Sequence, residues 1–110
     1  MNKLLLSQEA QNDLFAIKDY IASELENPIA AVTTIAEITK CLHQLTQFAA
    51  LGAPLSSVAD VQSDYRFLVC GKYLAFYRVQ ATSVYIDRVL FGRRDYLRIL
   101  FDKQLEEAEK

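Results

Sequence analysis

The side chains best suited to chemistry in this sequence are arginines. Arg88, Arg93 and Arg94 gather at the end of a strand-like segment and just beyond it. A guanidinium stays charged and grips phosphate or carboxylate oxygens in a planar fork, so the cluster suits an anionic target, either an RNA backbone or an acidic protein segment. The plainer assignment is structural, with each arginine paired to Asp87, Asp95 or an acid on a helix. Three arginines exceed the local acids, and that excess favours binding for the cluster as a whole. Arg66 and Arg78 lie near strand ends among apolar neighbours. A charge facing the core is costly, so both are expected on the open face of the sheet, side by side on neighbouring strands. Tyr65, Tyr73, Tyr77 and Tyr85 share these strands, and rings interleaved with arginines can stack on bases. Tyrosine is first of all a good strand residue, and no stacking platform is assigned to them.

The remaining chemistry-bearing residues are sparse. His43 is the single histidine and falls off the apolar stripe of its helix, with no partner for acid-base work. Cys41 and Cys70 lie far apart without ligand spacing. They read as reduced, small core residues, so neither a metal site nor a disulfide is expected, and no cofactor. Glu9, Asp13, Asp19, Glu24 and Glu26 read as the solvated side of the first helix. The net charge of -2 conceals an asymmetry: residues 64–98 carry seven basic against three acidic side chains, a balance of +4, and the rest carry five against eleven, a balance of -6. One half of the molecule is therefore a candidate cationic surface.

At 110 residues, 52% of them apolar, the chain has enough for one core and reads as a single domain over residues 1–110. No stretch is apolar for long enough to cross a bilayer, and residues 1–8 have one lysine and no extended apolar region before a cleavage site. A cytoplasmic protein without a membrane partner is expected.

These residues must be positioned by few elements. Residues 3–6 form a short apolar run, an edge or central strand, and Ser7 can cap the helix after it. Ala10, Leu14, Ile17, Ile21 and Leu25 recur at helical spacing and predict one buried stripe, with Gln11, Asp13, Lys18 and Asp19 facing away. Asn27-Pro28 restarts a helix, since Asn caps and Pro at the first position loses no hydrogen bond. The second stripe runs through Val32, Ile35, Ile38, Leu42, Leu45 and Ala49 and stops near Gly52 and Pro54. The short link makes the pair an antiparallel hairpin. Residues 51–63 read as a loop. Residues 65–70, 73–79 and 84–91 are strand-like, joined by Gly71-Lys72 and by residues 80–83. The expected fold is α+β: an N-terminal strand and a two-helix hairpin packed on a largely antiparallel four-stranded sheet, then a short helix or tail over residues 93–101.

The strand text Tyr65-Arg-Phe-Leu-Val, Tyr73-Leu-Ala-Phe-Tyr-Arg-Val and Val84-Tyr-Ile-Asp-Arg-Val-Leu-Phe-Gly-Arg-Arg-Asp-Tyr, with Asn27-Pro28-Ile-Ala-Ala at the helix junction, resembles the RelE/ParE superfamily of bacterial type II toxins. The likeness extends over nearly the whole chain. It implies a toxin, of the plasmid stabilisation type, neutralised by a cognate antitoxin that also supplies any DNA binding. Members of the superfamily that cut messenger RNA on the ribosome hold the phosphate with a cationic set on the sheet, an arginine after the last strand and a C-terminal tyrosine. Arg94 matches that arginine. Leu74 replaces the strand arginine, Tyr65 and Phe67 stand where lysines are expected, and Leu100 takes the place of the tyrosine. A shifted set of Arg66, Arg78 and Tyr96 would need a different geometry. The departures favour the ParE-like branch, for which the resemblance implies inhibition of DNA gyrase by binding rather than catalysis. An mRNA interferase acting on the ribosome is the alternative, and a non-toxic module that keeps the antitoxin surface is a third. The target-binding candidates are Arg66, Arg78, Arg88, Arg93, Arg94 and Tyr96; no catalytic residue is assigned.

Overall fold

The computed structural model describes residues 1–57 and 63–92. Its elements run β1 (Lys3–Leu6), α1 (Gln8–Asp19), a π-helical turn (Tyr20–Glu24), α2 (Pro28–His43), β2 (Ala53–Pro54), β3 (Arg66–Cys70), β4 (Tyr73–Gln80) and β5 (Ser83–Phe91), with short 3-10 turns at Gln44–Thr46 and Leu55–Ser57.

Local chemistry sets the helix starts. The Ser7 hydroxyl oxygen accepts from the Ala10 N–H at 2.9 Å and donates to the Asp87 carbonyl at 2.7 Å, so one side chain both caps α1 and fastens it to β5. Asn27 accepts from the Ala30 N–H at 3.1 Å, and Pro28 opens α2 as expected. The stripes are shorter than their periodicity suggests. The Leu25 N–H bonds to the Tyr20 carbonyl in the wider π ring; this shifts the helical phase and leaves Leu25 exposed although Ile21 is buried. Val32 is exposed as well, and burial in α2 is carried by Ala31, Ile38 and Leu42.

The sheet has five strands in the order β1-β5-β4-β3-β2, not four. It is mixed: β1 runs parallel to β5 at one edge, with Leu4 beside Val84 and Leu6 beside Ile86. The extra strand, β2, lies within the expected loop and pairs with β3, Pro54 opposite Arg66. Both hairpin turns span two residues. Gly71 has φ +64, where glycine lacks the Cβ clash, and Ala81 accepts φ 53 without that freedom. The helices cover one face of the sheet, where Ala10, Ile38, Leu42 and Leu45 pack on Leu68, Ala75, Tyr77, Val84, Ile86 and Val89. On the opposite face Leu55, Phe76 and Leu90 are buried with Tyr65, Phe67 and Leu74 packed around them. Of the closing helix expected over 93–101, all lies outside the described residues.

Candidate functional site

The hairpin between β3 and β4 determines what Arg66 and Arg78 can do together. Cys70 pairs with Tyr73 across the turn, which puts Arg66 opposite Tyr77. Directly opposed residues share a face, and Tyr77 belongs to the helix-covered core. Arg66 therefore lies on the helix side and Arg78, the next residue after Tyr77, on the other. The expected side-by-side pair on one open face does not form. Arg66 donates from Nε to the Gly52 carbonyl at 3.1 Å and from Nη2 to the Ala50 carbonyl at 3.4 Å. Tyr77 ties the same loop, its hydroxyl donating to the Ala49 carbonyl at 2.8 Å and accepting from the Gly52 N–H at 2.9 Å. These bonds hold the crossing from α2 to β2.

Arg78 belongs to a small polar network on the other face. Its Nε donates to Asp87 Oδ2 at 3.1 Å, and its guanidinium lies 5.4 Å from the centre of the Tyr65 ring. Burial first, then the hydrogen bond and charge of Asp87, push the Tyr65 hydroxyl up to about 12. A phenol so weakly acidic is a poor proton acceptor source near neutral pH, because almost none of it is ionised.

A β-bulge between β4 and β5 arranges the third arginine. Phe76 faces Arg88 while Tyr77 faces Ile86, so Asp87 is the extra residue. The bulge lies where β5 runs on past the end of β1 and would leave a bare strand edge. Asp13 of α1 fills it: its carboxylate accepts from Arg88 Nε at 2.8 Å, Arg88 Nη2 at 2.9 Å and the Val89 N–H at 3.0 Å. The hydrogen bonds to Asp13 raise Arg88 above its ordinary pKa, against an opposing effect of burial. Arg88 thus takes the structural role, and Asp13 is not part of a solvated face. The signal for Asp13 was present in its spacing, three residues after Ala10 and four before Ile17 on the same stripe. Arg93, Arg94 and Tyr96 lie outside the described residues.

The arginine pattern gave no hint of a broad concavity among the described residues. A cleft of about 1080 Å³ opens between the helix hairpin and the β3–β4 turn, walled by Ile17, Tyr20, Ile21 and Glu37 on one side and by Lys72, Tyr73 and Phe91 on the other. Tyr73 and Phe91 are register partners and meet edge to face at 5.8 Å between centroids. Burial, with Tyr20 nearby, raises the Tyr73 pKa. Cys41 of α2 and Cys70 of β3 also line the cleft and are joined as a disulfide, contrary to the expectation of reduced thiols. Sequence distance hid the pair, since the hairpin alone brings α2 over the end of β3. No group of His, Cys, Asp or Glu that could hold a metal ion occurs among the described residues, and no helix among them is long and apolar enough to cross a membrane.

This arrangement has relatives of known structure. A chain described as the chromosomal ParDE TA system from P. aeruginosa superposes with a TM-score of 0.70 at 27% identity, covering 83% of this chain and 96% of that one. YafQ from E. coli gives a TM-score of 0.47 at 15% identity over 83% of this chain and 93% of that one. No curated protein sequence matches. The family model for the ParE toxin of the type II toxin-antitoxin system parDE matches residues 4–96, from β1 through all the arginines but the last, and on that match the chain belongs to the ParE toxin family.

Proposed function

We propose that the protein is a toxin that acts by binding DNA gyrase and not by cutting RNA, and that a cognate antitoxin neutralises it. One observation carries the choice of mechanism. Tyr65, Phe67 and Leu74, the positions at which the ribosome-dependent nucleases of the superfamily are expected to carry basic residues, pack around the buried Leu55, Phe76 and Leu90. A phosphate clamp there would set charges in apolar surroundings, at a cost of several kcal/mol each unless paired. The described arginines do not compensate, because Arg66, Arg78 and Arg88 each bond to groups of the fold itself. Phosphodiester cleavage needs groups that move a proton and donors that stabilise the charged phosphorane. Inhibition by binding needs only a complementary surface.

Support for an antitoxin comes from the family and from the surface. The cleft is lined by exposed apolar side chains of the hairpin, Tyr20 and Leu25, and such partners fold on binding and lay apolar anchors into grooves. The test is a paired assay with the purified chain. Supercoiling by DNA gyrase should fall as the chain is added, while a message on translating ribosomes stays intact. Codon-phased cleavage of that message with gyrase unaffected overturns the proposal in favour of the endoribonuclease; inertness in both assays and in cells favours the non-toxic module.

A further inference from the structure

The chain contains two cysteines, and the fold brings them together from elements that share no local sequence. Cys41 lies on α2 and Cys70 at the end of β3, beside the turn that forms the far wall of the cleft. Their Cα atoms are 5.9 Å apart, inside the range that a disulfide spans without backbone movement. The two differ in access: Cys70 is 5% exposed and Cys41 is half-buried. An accessible thiol backed by a buried one is the arrangement in which the first attacks an incoming disulfide and the second resolves the mixed disulfide.

We propose that Cys41 and Cys70 form a reversible redox latch, which fixes α2 to β3 along the cleft in response to low-molecular-weight disulfides. The Cys41 thiolate attacks one sulfur of the small disulfide, forms a mixed disulfide and releases one small thiol. The Cys70 thiolate then attacks the Cys41 sulfur and expels the second. One protein dithiol and one small disulfide become one protein disulfide and two small thiols, the two protons leaving with the thiols. Closure ties helix hairpin to sheet, so the walls of the cleft hold a fixed spacing; reduction lets α2 move against β3. The latch concerns the chain alone. Its consequence for antitoxin binding rests on the reading above that the antitoxin enters this cleft.

The experiment equilibrates the purified chain across ratios of reduced to oxidised glutathione, followed by alkylation and mass measurement of free thiols, thermal melting, and amide exchange along α2. Both thiols should disappear together in one transition, Tm should rise by about 10 °C or more on closure, and exchange in α2 should slow. Cys70→Ser should stop at a glutathione adduct on Cys41, and Cys41→Ser should leave Cys70 unreacted. Free thiols or glutathione adducts persisting in the wild type under excess oxidised glutathione overturn the latch. So does a bridge that survives excess dithiothreitol in the folded protein, or equal melting and exchange in both states. None of these readouts involves gyrase or antitoxin, so failure of the functional reading leaves the result standing, and failure of the latch leaves the functional reading untouched.

Discussion

Asp13 and Arg88 are joined by two parallel hydrogen bonds at 2.8 and 2.9 Å, and the same carboxylate takes the Val89 N–H at 3.0 Å. One acid thus closes the exposed edge of β5 and neutralises the arginine beside it. The Arg88 and Asp13 side chains are 24% and 13% exposed, so solvent screens the pair only in part. Asp13→Ala leaves a charge and an N–H without partners and is expected to cost about 2–3 kcal/mol. Arg88→Met removes the charge but keeps the aliphatic stem and should cost less. In urea unfolding of both single variants and the double variant, the double should lose less than the sum of the singles; strict additivity would show that the two residues act separately.

A second pair fastens the crossing from the helices to the sheet. Tyr77 is fully buried, and its hydroxyl satisfies both the Ala49 carbonyl and the Gly52 N–H. Tyr77→Phe keeps the ring and strands both backbone groups, for an expected loss of about 1–3 kcal/mol. Gly52→Ala should be at least as damaging, since a Cβ there would run into the Phe67 carbonyl oxygen and approach the Tyr77 ring to 2.8 Å. Denaturant midpoints that match the wild type for both variants would mean the loop is held by other contacts.

The features that were legible in the sequence are those decided within a few residues. Ser7 and Asn27-Pro28 mark helix starts because capping is local, and Gly71-Lys72 marks a turn for the same reason. The parallel partner of β1 was not legible, because apolar Leu4 and Leu6 would suit either an antiparallel or a parallel neighbour. Nor was β2, since Ala53 and Pro54 have no strand propensity and are held by pairing with β3. The arginine arrangement was legible in principle. With Cys70 opposite Tyr73 across a two-residue turn, Arg66 must face Tyr77, and so cannot stand beside Arg78. The bulge at Asp87 was not, because Val84, Ile86 and Val89 all reach the helix-side core only when one residue is inserted into the alternation.

The Tyr65 hydroxyl gives the fold an alkaline sensitivity. Its pKa is raised from 10.0 to about 12 by burial first and by Asp87 second. The unfolded chain ionises this phenol nearer 10, so the contribution is fully present below that pH and is lost as pH rises through the folded value. Chemical denaturation between about pH 9 and 12 should therefore show a fall in stability that is shallower in Tyr65→Phe. An identical pH profile for the two proteins would remove Tyr65 from the account.

Arg93 and Arg94 are the cationic candidates left after Arg66, Arg78 and Arg88 are assigned to the fold, and the toxic contact is predicted to depend on them. Their charge lies just past β5, in the half of the sequence with a balance of +4. A role in target binding predicts that an Arg93→Ala, Arg94→Ala double variant melts like the wild type, since substitutions that touch no packed feature usually change stability by about 0.5 kcal/mol or less. The same variant should lose growth inhibition on induction in bacteria. Replacing both by lysine separates charge from fork geometry: retained inhibition means a point charge suffices, and lost inhibition means the planar, bidentate grip of guanidinium is required. Arg88→Met provides the contrast, since it should lower the melting temperature and leave inhibition intact at temperatures where it is folded. A double alanine variant that is folded and fully toxic would sink the assignment and move the target-binding surface elsewhere on the molecule.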